Sequence, residues 1–380
     1  MKKTADVVII GGGAAGTSVA YHLGRMGVKN VVLVEQNYTP FGGTGRCAAH
    51  YRQQFGTVSN CLLGIQSVKE FDTLEEETGF DLEITKHGYL MTAYTQEHLD
   101  QLKKDTAMQN ELGIPTVILD PQQCKEVAPY LNIDGIVGGA HSHNDGHINP
   151  MKMALAYKDG AEKCGVEFYN YTKVLDIEVE AGKVKAVVTD KGTIETPCVV
   201  NAAGEWGKFI GRMAGVAIPV EPEKHQIVIT EPVDYIGGPM IYSHKHGSYI
   251  AQVKHGGFLM GWSDPDIEAG IIDFNTEWLY LEKLSRIVCE QAPVLRNVRI
   301  VRHWAGQYGN CPDNSIILGP VPEVEGFYCA LGCTKATMFA PVIGTLTSEI
   351  VTGKEPTLPL APYLIDRFAK GEYVIDPALV

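Results

Sequence analysis

Two kinds of hydrophobic pattern alternate along the first third of the chain. Val7-Val8-Ile9-Ile10 is a run of four β-branched residues with no polar alternation, the mark of a strand covered on both faces. Ala14 to Arg25 follows with helical spacing, Val19, Ala20 and Leu23 on one side and Gly27 beyond its end as a stop. Val31 to Val34 repeats the apolar strand pattern, so the opening reads as a parallel strand-helix-strand unit. Amphipathic helices are predicted over 62–80 and 96–113, the second through Leu99, Leu102, Met108 and Leu112, with a strand from His87 to Thr92 between them. Pro150 suits the first turn of a helix to Lys163. Strands Val166–Tyr169, Val174–Val179, Val184–Thr189 and Thr193–Thr196 read as a meander, and Val199-Val200-Asn201 as another buried strand. From about Val220 the alternation becomes antiparallel. His225 to Thr230 alternates, and Tyr249–Val253 and Phe258–Trp262 flank a hairpin turn at Lys254–Gly257. A helix from Thr276 to Gln291, a strand from Val298 to Trp304, the run Gly326–Gly332 and a helix from Pro341 to Val351 complete the chain. The fold class predicted is α/β: a discontinuous Rossmann-like domain with a second antiparallel-sheet domain.

Size and charge narrow what such a fold is for. At 380 residues the chain exceeds what one core usually holds, so two domains are expected. A net charge of −13 argues against nucleic acid or an anionic membrane as partner. No apolar run approaches the ~18–20 residues of a membrane span. Met1-Lys2-Lys3 before Val7 imitates a signal peptide, but Asp6 and the glycines interrupt it. Nine cysteines without a CxxC pair suggest reduced thiols in a cytoplasm rather than a zinc or iron–sulfur site. His141-Ser142-His143-Asn144-Asp145-Gly146-His147 reads as a polar loop, so no metal is expected.

The chemistry begins at Gly11-Gly12-Gly13-Ala14-Ala15-Gly16. Gly11 permits a tight turn, Gly13 lets amides approach a pyrophosphate, Gly16 lets helix and strand pack closely, and the helix N-terminus favours the anion. Glu35, ending the second strand, suits ribose hydroxyls and repels a 2′-phosphate. An adenine dinucleotide is indicated, with FAD and NAD both open at that stage. Phe41 to Phe55, glycine-rich and carrying Arg46 and Arg52, can wrap a large planar ligand and turns the reading toward FAD.

A family resemblance then appears. GGGAAG with Glu35, the Gly-Thr-Gly-Arg segment with Arg-Gln-Gln-Phe, Val199-Val200-Asn201-Ala202-Ala203-Gly204-Glu205-Trp206, and Trp304-Ala305-Gly306 leading to Pro312-Asp313 together resemble the FAD-dependent D-amino-acid oxidase superfamily. Within it the chain is similar to β subunits of heterotetrameric sarcosine oxidases and to dye-linked L-proline dehydrogenases. The resemblance implies an FAD domain over 1–85, 142–219 and 312–380 and a substrate domain over 86–141 and 220–311. It implies FAD contacts from Gly11, Gly13, Ala14, Ala15, Gly16, Glu35, Gln36, Gly43, Thr44, Arg46, Cys47, Val174, Ala202, Ala203, Gly204, Trp206, Gly306, Gly332, Thr334 and Lys335. Gly306 falls where monomeric sarcosine oxidases carry the cysteine bonded to FAD, so FAD is expected to be noncovalent. Leu259 falls where those oxidases place an oxygen-activating lysine, which implies a dehydrogenase. Pro150 falls where heterotetrameric enzymes attach FMN, leaving room only for a noncovalent FMN at a subunit interface.

The expected reaction is oxidation of a small secondary amine or amino acid, proline-like or sarcosine-like, by hydride transfer to flavin N5. Arg52 is the candidate for a substrate carboxylate, with Lys335, Tyr249 and His255 as further catalytic candidates. Tyr242, Tyr249, Trp262, Trp304 and Tyr308 are candidates for the pocket wall. The expected partners are an α-type subunit and a small iron–sulfur subunit. An oxygen-using amino acid or opine oxidase and a flavin relay subunit without amine turnover are the alternatives.

Overall fold

The computed structural model describes residues 1–378. Its first sheet has six strands in the order Ile317–Pro320, Phe327–Leu331, Val199–Asn201, Val7–Ile10, Val31–Val34 and Glu167–Tyr169. All neighbours are parallel except Ile317–Pro320, which runs antiparallel to Phe327–Leu331. The β-branched runs serve two cores at once. Val7, Ile9, Val31 and Leu33 join one cluster with residues of helices Ala14–Arg25, Pro150–Lys163 and Ala340–Val351. Val8, Ile10, Val32 and Val34 join the other, with the three-stranded meander Val174–Glu180, Lys183–Thr189 and Gly192–Glu195 and helix Gly207–Met213. Strands buried on both faces need no polar alternation.

A second sheet has eight strands in the order Ile300–Asn310, Glu221–Thr230, Phe258–Trp262, Ser248–Gln252, Met240–Ser243, Tyr89–Ala93, Gly138–Ser142 and Thr116–Leu119. It is antiparallel apart from the pair Met240–Ser243 and Tyr89–Ala93. Helix Trp278–Gln291 covers part of it through Tyr280, Leu284 and Val288.

Four elements differ from expectation. The strand read over Val166–Tyr169 as part of the meander instead joins the edge of the first sheet as Glu167–Tyr169, parallel to Val31–Val34. The helix predicted over 62–80 spans Val58–Thr78, because Thr57 caps it by accepting from the Asn60 amide and Gly79 ends it at φ +74°. The strand predicted to end at Trp304 continues to Asn310, passing Gly306 and Gly309 while paired along its length with Glu221–Thr230. The segment 141–147 is not a plain loop: His141 and Ser142 end one strand, and Gly146 and His147 pair with Tyr51 and His50. Among the described residues, no helix is long and apolar enough to cross a membrane.

Candidate active site

A cavity of about 740 Å³ runs from the C-terminal ends of the first sheet to the face of the second. At its nucleotide end, glycine is required by contact as well as by turn geometry. Gly11 sits at φ +111°, where a Cβ would lie 2.5 Å from the Ala202 carbonyl oxygen. A Cβ on Gly16 would lie 1.9 Å from the Gly11 carbonyl oxygen, so helix and strand could not keep their present approach. Thr44 Oγ1 accepts from the Ala14 amide at 2.9 Å, tying the second glycine segment to the start of the helix. Glu35 Oε2 accepts from Gly12 N at 2.8 Å and Oε1 from Asn37 N at 2.7 Å, which fixes the carboxylate at the end of its strand. Burial raises the Glu35 pKa, partly opposed by those two bonds.

Gly13, Ala14, Ala15, Glu35, Gln36, Gly43, Thr44, Cys47, Val174, Ala202, Ala203, Gly204, Trp206, Gly332 and Thr334 line this cavity with Gly11. Three expected contacts lie outside the wall. Gly16 acts one layer behind, through the packing just described. The Arg46 guanidinium is stacked between the rings of Phe41 and Phe274, 4.3 and 4.4 Å from their centroids, and donates to the Phe41 and Gly42 carbonyls. Such a sandwich braces the glycine loop, and Arg46 is not among the residues that line the cavity. Gly306 lies against Arg46, where a Cβ would be 3.0 Å from the arginine's own Cβ. Trp304 likewise does not line the cavity; it packs against an apolar cluster, with its Nε1 donating to the Arg46 carbonyl at 2.8 Å.

The opposite end is aromatic. Tyr89, Tyr242, Tyr249, Trp262 and Tyr308 line it together with Arg52 and Lys335. Arg52 is buried, 6% exposed, with its guanidinium 4.7 Å from the centroid of Phe55 and 5.2 Å from that of Tyr89. It donates to the Ala378 carbonyl at 3.3 Å, and no carboxylate among the described residues forms an ion pair with it. Its backbone neighbours are clamped by Asp145, which accepts from Gln53 N at 2.9 Å and Gln54 Nε2 at 3.0 Å. Burial pushes the Asp145 carboxyl up to about 6. Lys335, 3% exposed, donates to the Asn314 carbonyl and to Thr334 Oγ1 at 3.2 Å, and burial lowers its pKa to about 8. At pH 7 it therefore remains mainly protonated.

His255 does not belong to this set. It is exposed in the hairpin turn, where its Nδ1 accepts from Gly257 N at 3.4 Å, and it does not reach the cavity. Tyr89, Glu205, His50 and Ala378 line the cavity without having been predicted. Glu205, 5% exposed, has its carboxyl raised to about 7 by burial. It sits inside the Ala-Ala-Gly-Glu-Trp motif and was legible as a neighbour of Gly204; nothing in the sequence marked Tyr89 or Ala378.

A dinucleotide turn at one end, a carboxylate at the ribose position and a cationic, aromatic chamber at the other define a flavin-dependent oxidoreductase. The chain belongs to the family described as DAO, FAD dependent oxidoreductase, whose model matches residues 6–350. FAD is its cofactor, and the glycine contacts at Gly11 and Gly16 and the fixed Glu35 carboxylate fit it. Among its relatives, dimethylglycine dehydrogenase of Rattus norvegicus is 28% identical over 97% of this chain and 45% of its own length. The pyruvate dehydrogenase phosphatase regulatory subunit of Mus musculus is 31% identical over 87% of this chain and 39% of its own. The chain thus spans less than half the length of these two relatives. The crystal structure of L-proline dehydrogenase from P. horikoshii superposes with a TM-score of 0.94, covering 98% of this chain and 100% of that one at 32% identity.

Proposed function

We propose that the chain is the catalytic β-type subunit of a dehydrogenase that oxidises a small secondary amine or amino acid, proline-like or sarcosine-like. When bound, FAD supplies the two-electron acceptor, its N5 taking hydride from the carbon that bears nitrogen. The observation that carries the reading is Arg52: a buried guanidinium on the cavity wall, without a carboxylate partner among the described residues. Burying an unpaired cation is costly, and a carboxylate ligand held by two parallel bonds would offset that cost. Tyr89, Tyr242, Tyr249 and Tyr308 around it exclude water and offer ring faces to an amine. Lys335, in the segment before helix Ala340–Val351, would supply positive charge to a flavin that becomes negative on reduction. FAD is held noncovalently in this reading, and Leu259, 6% exposed within an apolar cluster, gives oxygen no cation at its position.

An α-type subunit as partner is supported by the 24% identity to the sarcosine oxidase β subunit of Rhodobacter capsulatus, which covers 98% of this chain and 91% of that one. Exposed Ile300 and Val301 on an edge strand, and Trp278 at 83% exposure, are surface apolar groups of the kind subunit contacts cover. In this reading a noncovalent FMN would sit at a subunit interface, and a small iron–sulfur subunit would be a further partner. The resemblance to a regulatory subunit favours a second reading, a flavin protein that relays electrons without amine turnover. Steady-state reduction of an artificial dye by proline, hydroxyproline, sarcosine and opines separates the two. Turnover of one of them by the FAD-loaded chain is expected; none, alone or with a co-expressed α-type subunit, rejects the catalytic reading.

A further inference from the structure

The segment Glu372–Ala378 crosses back to the cavity and is fastened at two points. Its Val374 amide donates to Asp313 Oδ2 at 3.0 Å. Two residues on, the buried Asp376 carboxylate accepts from Gly56 N at 2.8 Å, Asn60 Nδ2 at 2.7 Å, Thr57 Oγ1 at 3.3 Å and Ala378 N at 2.9 Å. Four donors converge on one side chain, and three of them come from the loop and first helical turn that follow Arg52. The last bond bends the segment back so that the Ala378 carbonyl meets Arg52 Nη2 at 3.3 Å. Ala378 itself lines the cavity.

We infer that Asp376 is a positioning residue for carboxylate recognition: it holds the Ala378 carbonyl against one edge of the Arg52 guanidinium and so fixes which N–H groups face the ligand. This rests on the reading of Arg52 as the carboxylate receptor. A guanidinium presents its donors in a rigid fork, so orienting one edge orients the others. Among the described residues, the other contacts of Arg52 are the Phe55 and Tyr89 rings and a long approach to Met91 Sδ at 3.8 Å, none of which fixes rotation in the guanidinium plane. The Ala378 carbonyl is its one strongly directional partner among the described residues.

Two substitutions disturb the fastening from opposite sides. Asp376→Ala removes the acceptor of all four bonds. Gly56→Ala leaves Asp376 in place but puts a Cβ 2.5 Å from Pro377 Cγ and 2.9 Å from Asp376 Oδ1, pushing the segment away. Asp376→Asn is the conservative control: Asn60 Oδ1 is buried without a partner, so that amide can turn to accept from the new one. The probe is acetate, followed by the change it causes in the absorption of FAD-loaded protein, with FAD retention and melting temperature recorded in parallel. Acetate should bind about threefold to tenfold more weakly to the Asp376→Ala and Gly56→Ala proteins, with wild-type affinity largely restored in Asp376→Asn. In an Arg52→Ala background neither change should weaken acetate further. If Asp376→Ala loses FAD, Gly56→Ala carries the test. Wild-type acetate affinity in the variants overturns the inference alone. Failure of acetate to perturb the wild-type flavin overturns the Arg52 reading and the inference with it.

Discussion

Replacing Arg52 by alanine removes the group proposed to hold the substrate carboxylate. The guanidinium is 6% exposed and forms no ion pair among the described residues, the buried Asp145 acting on it only at longer range, so its bonds to a substrate carboxylate form in a dry site. Charged hydrogen bonds there contribute about 1.5–3 kcal/mol. At 1.4 kcal/mol per factor of ten this is about a tenfold to hundredfold rise in KM. Because the carboxylate itself is unchanged in the reaction, its bonds to Arg52 are similar in ground and transition states, and kcat should change less than KM. Arg52→Lys keeps the charge but loses the planar fork and should fall between the two. Dye reduction measured against a proline-like acid and against the same amine lacking its carboxylate provides the assay. Only the acid should lose affinity. A KM within twofold of wild type for the acid, or an equal rise for both compounds, would refute the assignment.

Other predictions follow from single contacts. Gly16→Ala drives a Cβ to 1.9 Å from the Gly11 backbone oxygen and should both release FAD, seen as a colourless preparation, and lower the melting temperature of the apoprotein; a yellow protein of wild-type melting temperature would count against it. Glu205 has a folded-state pKa of about 7, raised from 4.5 by burial, so its folded state holds a proton that the unfolded chain has lost between those values. Stability should therefore fall as pH rises through that window, with Glu205 contributing at most about 3 kcal/mol, and Glu205→Gln should remove that share and leave the smaller falls from Asp145 and Asp105; parallel pH profiles for the two apoproteins would count against it. Arg367 pairs with Asp313 through bonds of 2.8 and 2.9 Å with both side chains buried, and Arg367→Leu should cost about 3–5 kcal/mol in denaturant unfolding by stranding that carboxylate. Reduced enzyme should react slowly with oxygen, and rapid peroxide formation during turnover would contradict the Leu259 reading.

Much of this architecture was legible because its signals are local. The run Val7–Ile10 has to be buried on both faces, and the glycines that follow it can be read one by one as turn, phosphate approach and helix packing. What the sequence left obscure arises from contacts between distant segments. Arg46 lies beside the glycines and reads as a cofactor ligand, yet it does not line the cavity, and Phe274, far along the chain, completes the sandwich that holds it. Gly306 reads as a flavin contact but faces that same arginine. His255 sits in a turn whose sequence is clear and whose direction is not. The strand Gly138–Ser142, rich in glycine and without large apolar residues, gives no period to detect, and its pairing with Tyr89–Ala93 alone reveals it. Ala378 could not have been singled out at all, since its role is a backbone carbonyl delivered by Asp376.

The central claim is that FAD in this cavity accepts electrons from an amine held by Arg52. Anaerobic titration of the FAD-loaded chain with the proline and sarcosine panel tests it most directly. Bleaching of the yellow flavin band by one of these acids, lost or shifted to much higher concentration in Arg52→Ala, is the predicted result. A flavin that stays oxidised with every amine offered, or one that Arg52→Ala bleaches as readily as wild type, would contradict the account.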